Sequence, residues 1–383
     1  MTRTRLAAPS LPVFILAAAV VALLAFGLTR WVTERTGADT LPPLAIAEGD
    51  TAAAAPGALN AAELFNARVD TTVSIESTID GAPMNGSGVV VSTNGTIVTA
   101  SHVIKDYDKA LEATTIVVRF HKGDEVAAEV VAIDQMNDLA ILKVDPTEVS
   151  GGVVAARLAN SDKVVVGSEI MSIGAPFGYE FTPTVGNVSA THRVLDSRIN
   201  ANSRIPDAIQ HDGPVNTGNS GGPVFNARGE IIGINQQIAS PAKVNSGVSF
   251  AVSSNLIARA VKQYQATGER DIRYADLGIV ARDITPQLAK QGDLAVSKGA
   301  LVQLADGPAA REAGISTGRA IDHLGKTVSL GDQIVEVGGQ AITSANDLAR
   351  VQTLLDPSAA TTIVVLRGGK RVELAITPVA RAL

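Results

Sequence analysis

A serine set among glycines is the first residue of this chain with reactive potential. In Thr217-Gly218-Asn219-Ser220-Gly221-Gly222-Pro223, directly before an apolar strand, the glycines permit a tight turn that keeps the hydroxyl exposed. A serine hydroxyl is a weak nucleophile and needs a base to take its proton. Val98-Thr99-Ala100-Ser101-His102 ends an expected strand on a histidine. Asn137-Asp138-Leu139-Ala140-Ile141-Leu142 puts an aspartate at the start of another. Brought together, His102 would accept the proton and return it to a leaving amine. Asp138 would fix the imidazole tautomer and stabilise the imidazolium. The other histidines, His121, His192, His211 and His323, lack the strand-end setting, and His211 reads as structural. Asp134 lacks the preceding asparagine and the apolar run directly after it.

Other chemistries find little material. The chain has no cysteine, which removes thiolate nucleophiles, disulfides and thiolate metal sites. No His-Glu-x-x-His pair and no phosphate-binding loop occur, so no metal and no cofactor are expected. A net charge of −6 argues against a nucleic-acid partner.

The elements that must position these residues follow from pattern. A length of 383 residues suggests two or three domains. No charge interrupts Leu6–Thr29, and Leu11–Leu28 is apolar. As a helix that stretch rises about 27 Å, close to the ~30 Å hydrocarbon core of a bilayer. With Arg3 and Arg5 before it and Trp31 after it, residues 11–32 are expected to be a transmembrane anchor behind a short cytoplasmic tail, 1–10. Ala25-Phe26-Gly27 keeps a cleaved signal peptide open as the alternative. Residues 33–60, rich in Ala, Gly, Pro and Asp, read as a flexible linker.

From 61 to 268 short strands dominate, with Asn94-Gly95 as a hairpin turn between two of them. That stretch closes with a helix capped at Ser253 or Ser254 and stopped by Gly268. Residues 269–383 form a second, mixed unit. It has strands at Leu277–Ala281 and Gly299–Gln303, helices at Pro308–Ala313 and Ser344–Leu355, and a hairpin over Thr361–Ile376.

The order His102, Asp138, Ser220 is that of the chymotrypsin-like triad. With Asn137–Lys143 and Gly218–Pro223, the chain resembles the HtrA family of trypsin-like serine proteases from about residue 61 onward. The resemblance implies a mostly β protein: a chymotrypsin-like double six-stranded β-barrel, then an α+β PDZ domain. It implies an oxyanion hole from the N–H groups of Gly218 and Ser220. Asp212 matches a position outside the family's triad. Trypsin has an aspartate before its serine, paired with a new N-terminal ammonium. Here Asn219 stands there, so switching is expected from loop rearrangement. Thr191–Asp207 resembles the family's sensor loop, with Arg193 as the relaying arginine.

The primary pocket would be shaped by Pro214, Val215 and Ile238. Lacking trypsin's carboxylate, it should take a small or aliphatic side chain. Asp276-Leu277-Gly278-Ile279 matches the loop that captures a peptide C-terminus, and Leu330–Gly339 a second PDZ segment, preceded by an unusually long connection from Ala313-Gly314. Family members are usually trimers, for which Leu64 and Phe65 are candidate contacts. The expectation is a membrane-anchored endopeptidase of the bacterial inner membrane, its body in the periplasm. It would cleave unfolded or regulatory proteins under the control of hydrophobic C-terminal peptides. A soluble periplasmic protease and a non-enzymatic PDZ chaperone or adaptor are the rival readings.

Overall fold

The computed structural model describes residues 59–196, 204–238, 247–317 and 330–381. The expected tail and anchor, the linker up to residue 58 and His323 lie outside the described residues. Among the described residues no helix is long and apolar enough to cross a membrane.

A short helix, α1 (Ala61–Arg68), is capped by the Asn60 side chain, which accepts from the Glu63 N–H. Two closed barrels follow. The first contains β1 (Thr72–Ile79), β2 (Ala82–Ser92) and β3 (Thr96–Ala100). A two-stranded ribbon, β4 (Lys105–Asp106) and β5 (Leu111–Glu112), leads to its remaining strands, β6 (Thr115–Phe120), β7 (Glu125–Asp134) and β8 (Leu139–Val144). They close in the order β1-β2-β3-β8-β7-β6. Alternation places Val73, Ile75 and Ile79 inward. Together with Val90, Ile97, Val118 and Leu142 they fill this barrel.

The second barrel contains β9 (Glu169–Gly174), β10 (Thr182–Asp196), β11 (Arg204–His211), β12 (Pro223–Asn226), β13 (Ile231–Ile238) and β14 (Ser249–Ser253). Its order is β10-β11-β14-β13-β12-β9. A separate cluster around Val91, Leu139, Met171, Phe225 and Ile234 joins side chains of both barrels.

The helix after the barrels, α2 (Ser254–Thr267), ends on Gly268 in the left-handed conformation, φ 66°. Ser253 occupies the N-cap position, but its hydroxyl serves the barrel: it donates to Asp207, 2.7 Å away. Asp207 also takes His192 at 2.8 Å. These partners explain how β11 keeps a buried aspartate in its middle, and why a run with Pro206 and Asp207 does not read as a strand. They also correct the expected sensor loop. Residues 191–196 and 204–207 belong to β10 and β11, so any loop is confined to 197–203, outside the described residues.

The C-terminal unit opens on β15 (Tyr274–Asp276) and holds a six-stranded sheet, five strands on one path and a sixth beside it. Its members are β16 (Val280–Asp283), β17 (Ala300–Leu304), β18 (Gln333–Val337), β20 (Thr361–Arg367) and β21 (Lys370–Ile376), in that order. A short β19 (Gln340–Ala341) pairs with β18, and β22 (Val379–Arg381) returns to β15. Helices α3 (Pro286–Gly292), α4 (Pro308–Glu312) and α5 (Ala345–Leu354) flank the sheet. Its core gathers Leu277, Val302, Ile334, Leu348, Val351 and Ile363. The buried Asp332 is held by Arg367 at 2.7 Å and accepts from the Ser316 N–H. Among the contacts that dock this unit on the barrels, Ile133 bridges to Asp271, and Arg350 pairs with Asp162 at 2.9 Å. Leu64, a candidate oligomer contact, is buried in the chain's own core, and Phe65 packs edge-on against His121.

His211, on β11, is fully buried, and burial lowers its pKa from 6.5 to about 4. Its folded value lies below the unfolded one. Between pH 6.5 and 4 the unfolded chain therefore binds more protons, and stability falls as pH falls. Urea unfolding at pH 7 and pH 5 tests this. His211→Gln should shrink the loss between those two pH values by about 2 kcal/mol.

Candidate active site

His102 and Asp138 meet on the first barrel, and the turn that carries Ser220 lies against the strand leading to His102. β3 ends at Ala100, and a single 3-10 turn, Ser101–Val103, carries His102. The connection from β7 to β8 carries Asp138 in the left-handed conformation, φ 52°. His102 Nδ1 lies 2.6 Å from Asp138 Oδ2, and the His102 N–H donates to Oδ1 at 2.8 Å. Ser101 Oγ donates to Oδ1 at 2.6 Å. Burial alone would raise the Asp138 pKa. The His102 charge and the hydrogen bonds from His102, Ser101 and Gln236 outweigh it and leave the carboxyl below its ordinary value. An ionised Asp138 can thus hold a proton on Nδ1 and leave Nε2 as the basic atom.

Ser220 comes from the second barrel, on the connection between β11 and β12. Three glycines make its approach possible. A Cβ on Gly221 would lie 2.3 Å from Thr99 Oγ1 and 2.8 Å from the Ala100 N, so this turn rests directly on the strand that ends at His102. A Cβ on Gly218 would lie 2.0 Å from the Ala175 carbonyl oxygen, and one on Gly222 2.6 Å from that of Ile173.

The turn divides its backbone donors unevenly. Asn219 N–H donates to Asn216 O, Gly221 N–H to Asn235 O and Gly222 N–H to Asn219 O, at 2.8–3.0 Å. The N–H groups of Gly218 and Ser220 have no acceptor among the described residues. These two are the donors expected to face a developing oxyanion. The Gly218 carbonyl is turned the other way, accepting from Ser87 Oγ at 2.7 Å.

Ser87 was not anticipated from sequence. It sits fully buried on β2 and clamps the site. Its N–H donates to the Ser220 carbonyl at 2.8 Å, and its Oγ accepts from the Ala175 N–H at 3.0 Å. Gln236 was missed as well; its Nε2 donates to the carbonyls of Asn137 and Asp138. Only their partners across the barrel seam give either residue its place, and no local motif marks them.

Asn219 is buried, with its side-chain N–H only 3.5 Å from the Pro214 carbonyl. Its Oδ1 has no donor, so an ionised aspartate there would be an unpaired buried charge. Pro214 is exposed and Val215 buried, and neither offers a carboxylate. Ile238 ends β13 opposite Ser249, and its side chain lies outside the described residues. Arg193 is exposed on β10, its Nε 3.2 Å from Gln210 Oε1.

In the C-terminal unit Leu277 is fully buried and Ile279 packs on the same core. Gly278 takes a φ of 67°, and its Cβ position is filled by Gly307. Its N–H is occupied: Asp276 Oδ1 accepts it at 2.8 Å.

Two closed six-stranded barrels, with the Ser220 turn of one laid against the strand that leads to the His102–Asp138 pair of the other, make a chymotrypsin-like protease fold. Residues 86–234 match the trypsin-like peptidase domain. The chain is 33% identical over 294 residues to a probable periplasmic serine endoprotease, DegP-like, of Pseudomonas putida strain W619, covering 76% of this chain and 55% of that protein. A protein of the same description from Marinomonas sp. strain MWYL1 is 34% identical over 298 residues, 77% of this chain and 57% of that one. The chain thus spans about half the length of these curated relatives. Among solved structures, the HtrA-type protease AlgW with tripeptide superposes with a TM-score of 0.63 at 29% identity, covering 83% of this chain and 97% of that one. The chain thus carries a trypsin-like peptidase domain, and the relatives and solved structures it resembles are HtrA-type and DegP-like serine endoproteases.

Removing the Ser87 hydroxyl leaves the Gly218 carbonyl and the Ala175 N–H buried without a partner. Ser87→Ala is expected to cost about 1–3 kcal/mol of stability. It should also lower turnover per folded molecule by about tenfold or more, because the Gly218 peptide loses its anchor. Peptide hydrolysis scaled to the folded fraction measures the second effect.

Proposed function

We propose that Ser220 attacks the scissile peptide carbonyl while His102 takes its proton. His102 then protonates the leaving amine, and water repeats the sequence on the acyl-enzyme. Asp138 keeps the imidazole in the reactive tautomer and balances the imidazolium. Gly218 and Ser220 donate their N–H groups to the oxyanion. The observation that carries this reading is the pair of N–H groups at Gly218 and Ser220 without an acceptor among the described residues, beside Asn219, Gly221 and Gly222, whose N–H groups are all engaged. Pro214 and Val215 favour a small or aliphatic residue at the cleavage site, with Ile238 as the further wall.

The C-terminal unit, 269–383, is read as a PDZ domain. β16 is the edge strand of its sheet, and the Ala345 N–H at the start of α5 donates to Asp283 at 2.7 Å. An extended peptide can add to that edge with its terminal carboxylate at Asp276–Ile279. Residues 61–268 then form the protease domain, with 33–60 as the tether and 11–32 as the anchor. The names of the relatives support a periplasmic endoprotease, and unfolded or regulatory proteins as its substrates rest on the family resemblance. The apolar run from Leu11 supports the inner-membrane anchor, and the family pattern a homotrimer. The AlgW structures with bound tripeptide and decapeptide support peptide partners, while control through Arg193 rests on the family resemblance alone.

Fluorophosphonate labelling of the full chain tests the nucleophile. Ser220→Ala should take no label and lose peptide hydrolysis while folding normally; wild-type turnover in that variant removes Ser220 from the role. Gating is tested with an apolar C-terminal peptide, which should raise cleavage of an unrelated substrate by roughly 5–150-fold. The amidated peptide should not. Because the Asp276 carboxylate already holds the Gly278 N–H, Asp276→Ala should lower the peptide concentration needed for half-activation. An unchanged or weaker response would place the carboxylate elsewhere.

A further inference from the structure

We infer that Tyr274, at the start of the C-terminal unit, is a positioning residue for the Asp138 carboxylate, acting through Asn137; this rests on the triad reading above. Asn137 directly precedes Asp138 and is fully buried. Its Nδ2 donates to the Tyr274 hydroxyl at 2.7 Å and to Asp134 Oδ2 at 3.0 Å. Its N–H donates to Asp134 Oδ1 at 3.0 Å. All three side chains are closed to solvent.

The setting explains why this network matters for geometry. Asp138 sits at φ 52°, a backbone state that a non-glycine residue keeps only when its surroundings hold it there. Two kinds of anchor do so. Gln236, from the second barrel, holds the carbonyls of Asn137 and Asp138. The Asn137 side chain is held by Asp134 and Tyr274. Of these anchors only Tyr274 lies beyond the barrels. It is fixed in turn by the bridge of Ile133 to Asp271 and by the Arg259 guanidinium, 4.3 Å from its ring. A contact needed for docking alone could be apolar. A buried hydroxyl that completes the amide of the residue before Asp138 instead specifies one orientation of that turn.

The test uses the full chain with Tyr274→Phe, which keeps the ring, its packing and its contact with Arg259. The rate of fluorophosphonate labelling at Ser220 and kcat should both fall about tenfold, with KM within about twofold. The acid limb of kcat should move to lower pH, because a displaced Asp138 stabilises the imidazolium less. Asn137→Ala removes the same hydrogen bond from the other side together with the one to Asp134, so it should lose at least as much, and the double variant no more than Asn137→Ala. Ile272→Val trims the same docking segment while leaving the hydroxyl and should keep both kcat and the acid limb. The inference is overturned if Tyr274→Phe keeps wild-type kcat and acid limb, becomes more active, or loses no more than Ile272→Val. A wild-type chain that takes no label at Ser220 would sink the triad reading and this inference with it. A labelled wild type with an indifferent Tyr274→Phe overturns this inference alone.

Discussion

The buried carboxylate of Asp138 is the constraint around which this protein is arranged. A charge taken out of water is tolerated only when donors surround it. Here three of those donors come from one place: the Ser101 hydroxyl, the His102 N–H and the His102 ring, all on the turn after β3. The same requirement that keeps the charge stable therefore orients the imidazole. Folding energetics and the proposed chemistry are satisfied by one set of hydrogen bonds, and neither can be altered without the other.

Joining two barrels converts that pair into a site. Neither barrel holds the three residues alone: His102 and Asp138 belong to the first and Ser220 to the second. Close backbone approach ties them, and only Gly218, Gly221 and Gly222 leave room for it. Ser87 then bonds the Gly218 carbonyl, the Ala175 N–H and the Ser220 carbonyl from one position on β2. With the Gly218 carbonyl bound away, its N–H is left unengaged beside that of Ser220. A strand of the first barrel thus sets the direction of a peptide bond in the second.

Buried polar groups recur wherever elements from distant parts of the chain meet. Asp207 is paid in full by His192 and Ser253 from the two neighbouring strands. Asp332 is fixed by Arg367 across the C-terminal sheet. Asp134 and Asn137 join the barrel to Tyr274. Each such group would cost stability if its partner moved, so each selects one arrangement of its neighbours over alternatives of similar apolar burial.

Much of this was legible in the sequence for a local reason. A nucleophile on a tight turn needs glycines beside it, so Gly218–Gly222 advertise Ser220. The apolar run after Asp138 and the strand before His102 are equally local. Period-two and helical patterns likewise marked the hairpin at Asn94-Gly95, the helix closed by Gly268 and the hairpin at Gly368-Gly369. Other features had no such signature. β11 reads as a loop because its Pro206 and Asp207 are tolerated only by partners on β10 and β14. Ser87, Gln236 and Tyr274 are ordinary residues until folding puts them against the Ser220 turn and the Asp138 backbone. Leu64 looked available for another subunit and is consumed by the core. The sequence by itself determined which residues could react, since that depends on side-chain type and the nearest few neighbours. The tertiary structure alone decided which N–H groups stay unengaged and what holds Asp138, because those depend on hydrogen-bond partners up to 137 residues apart in the chain.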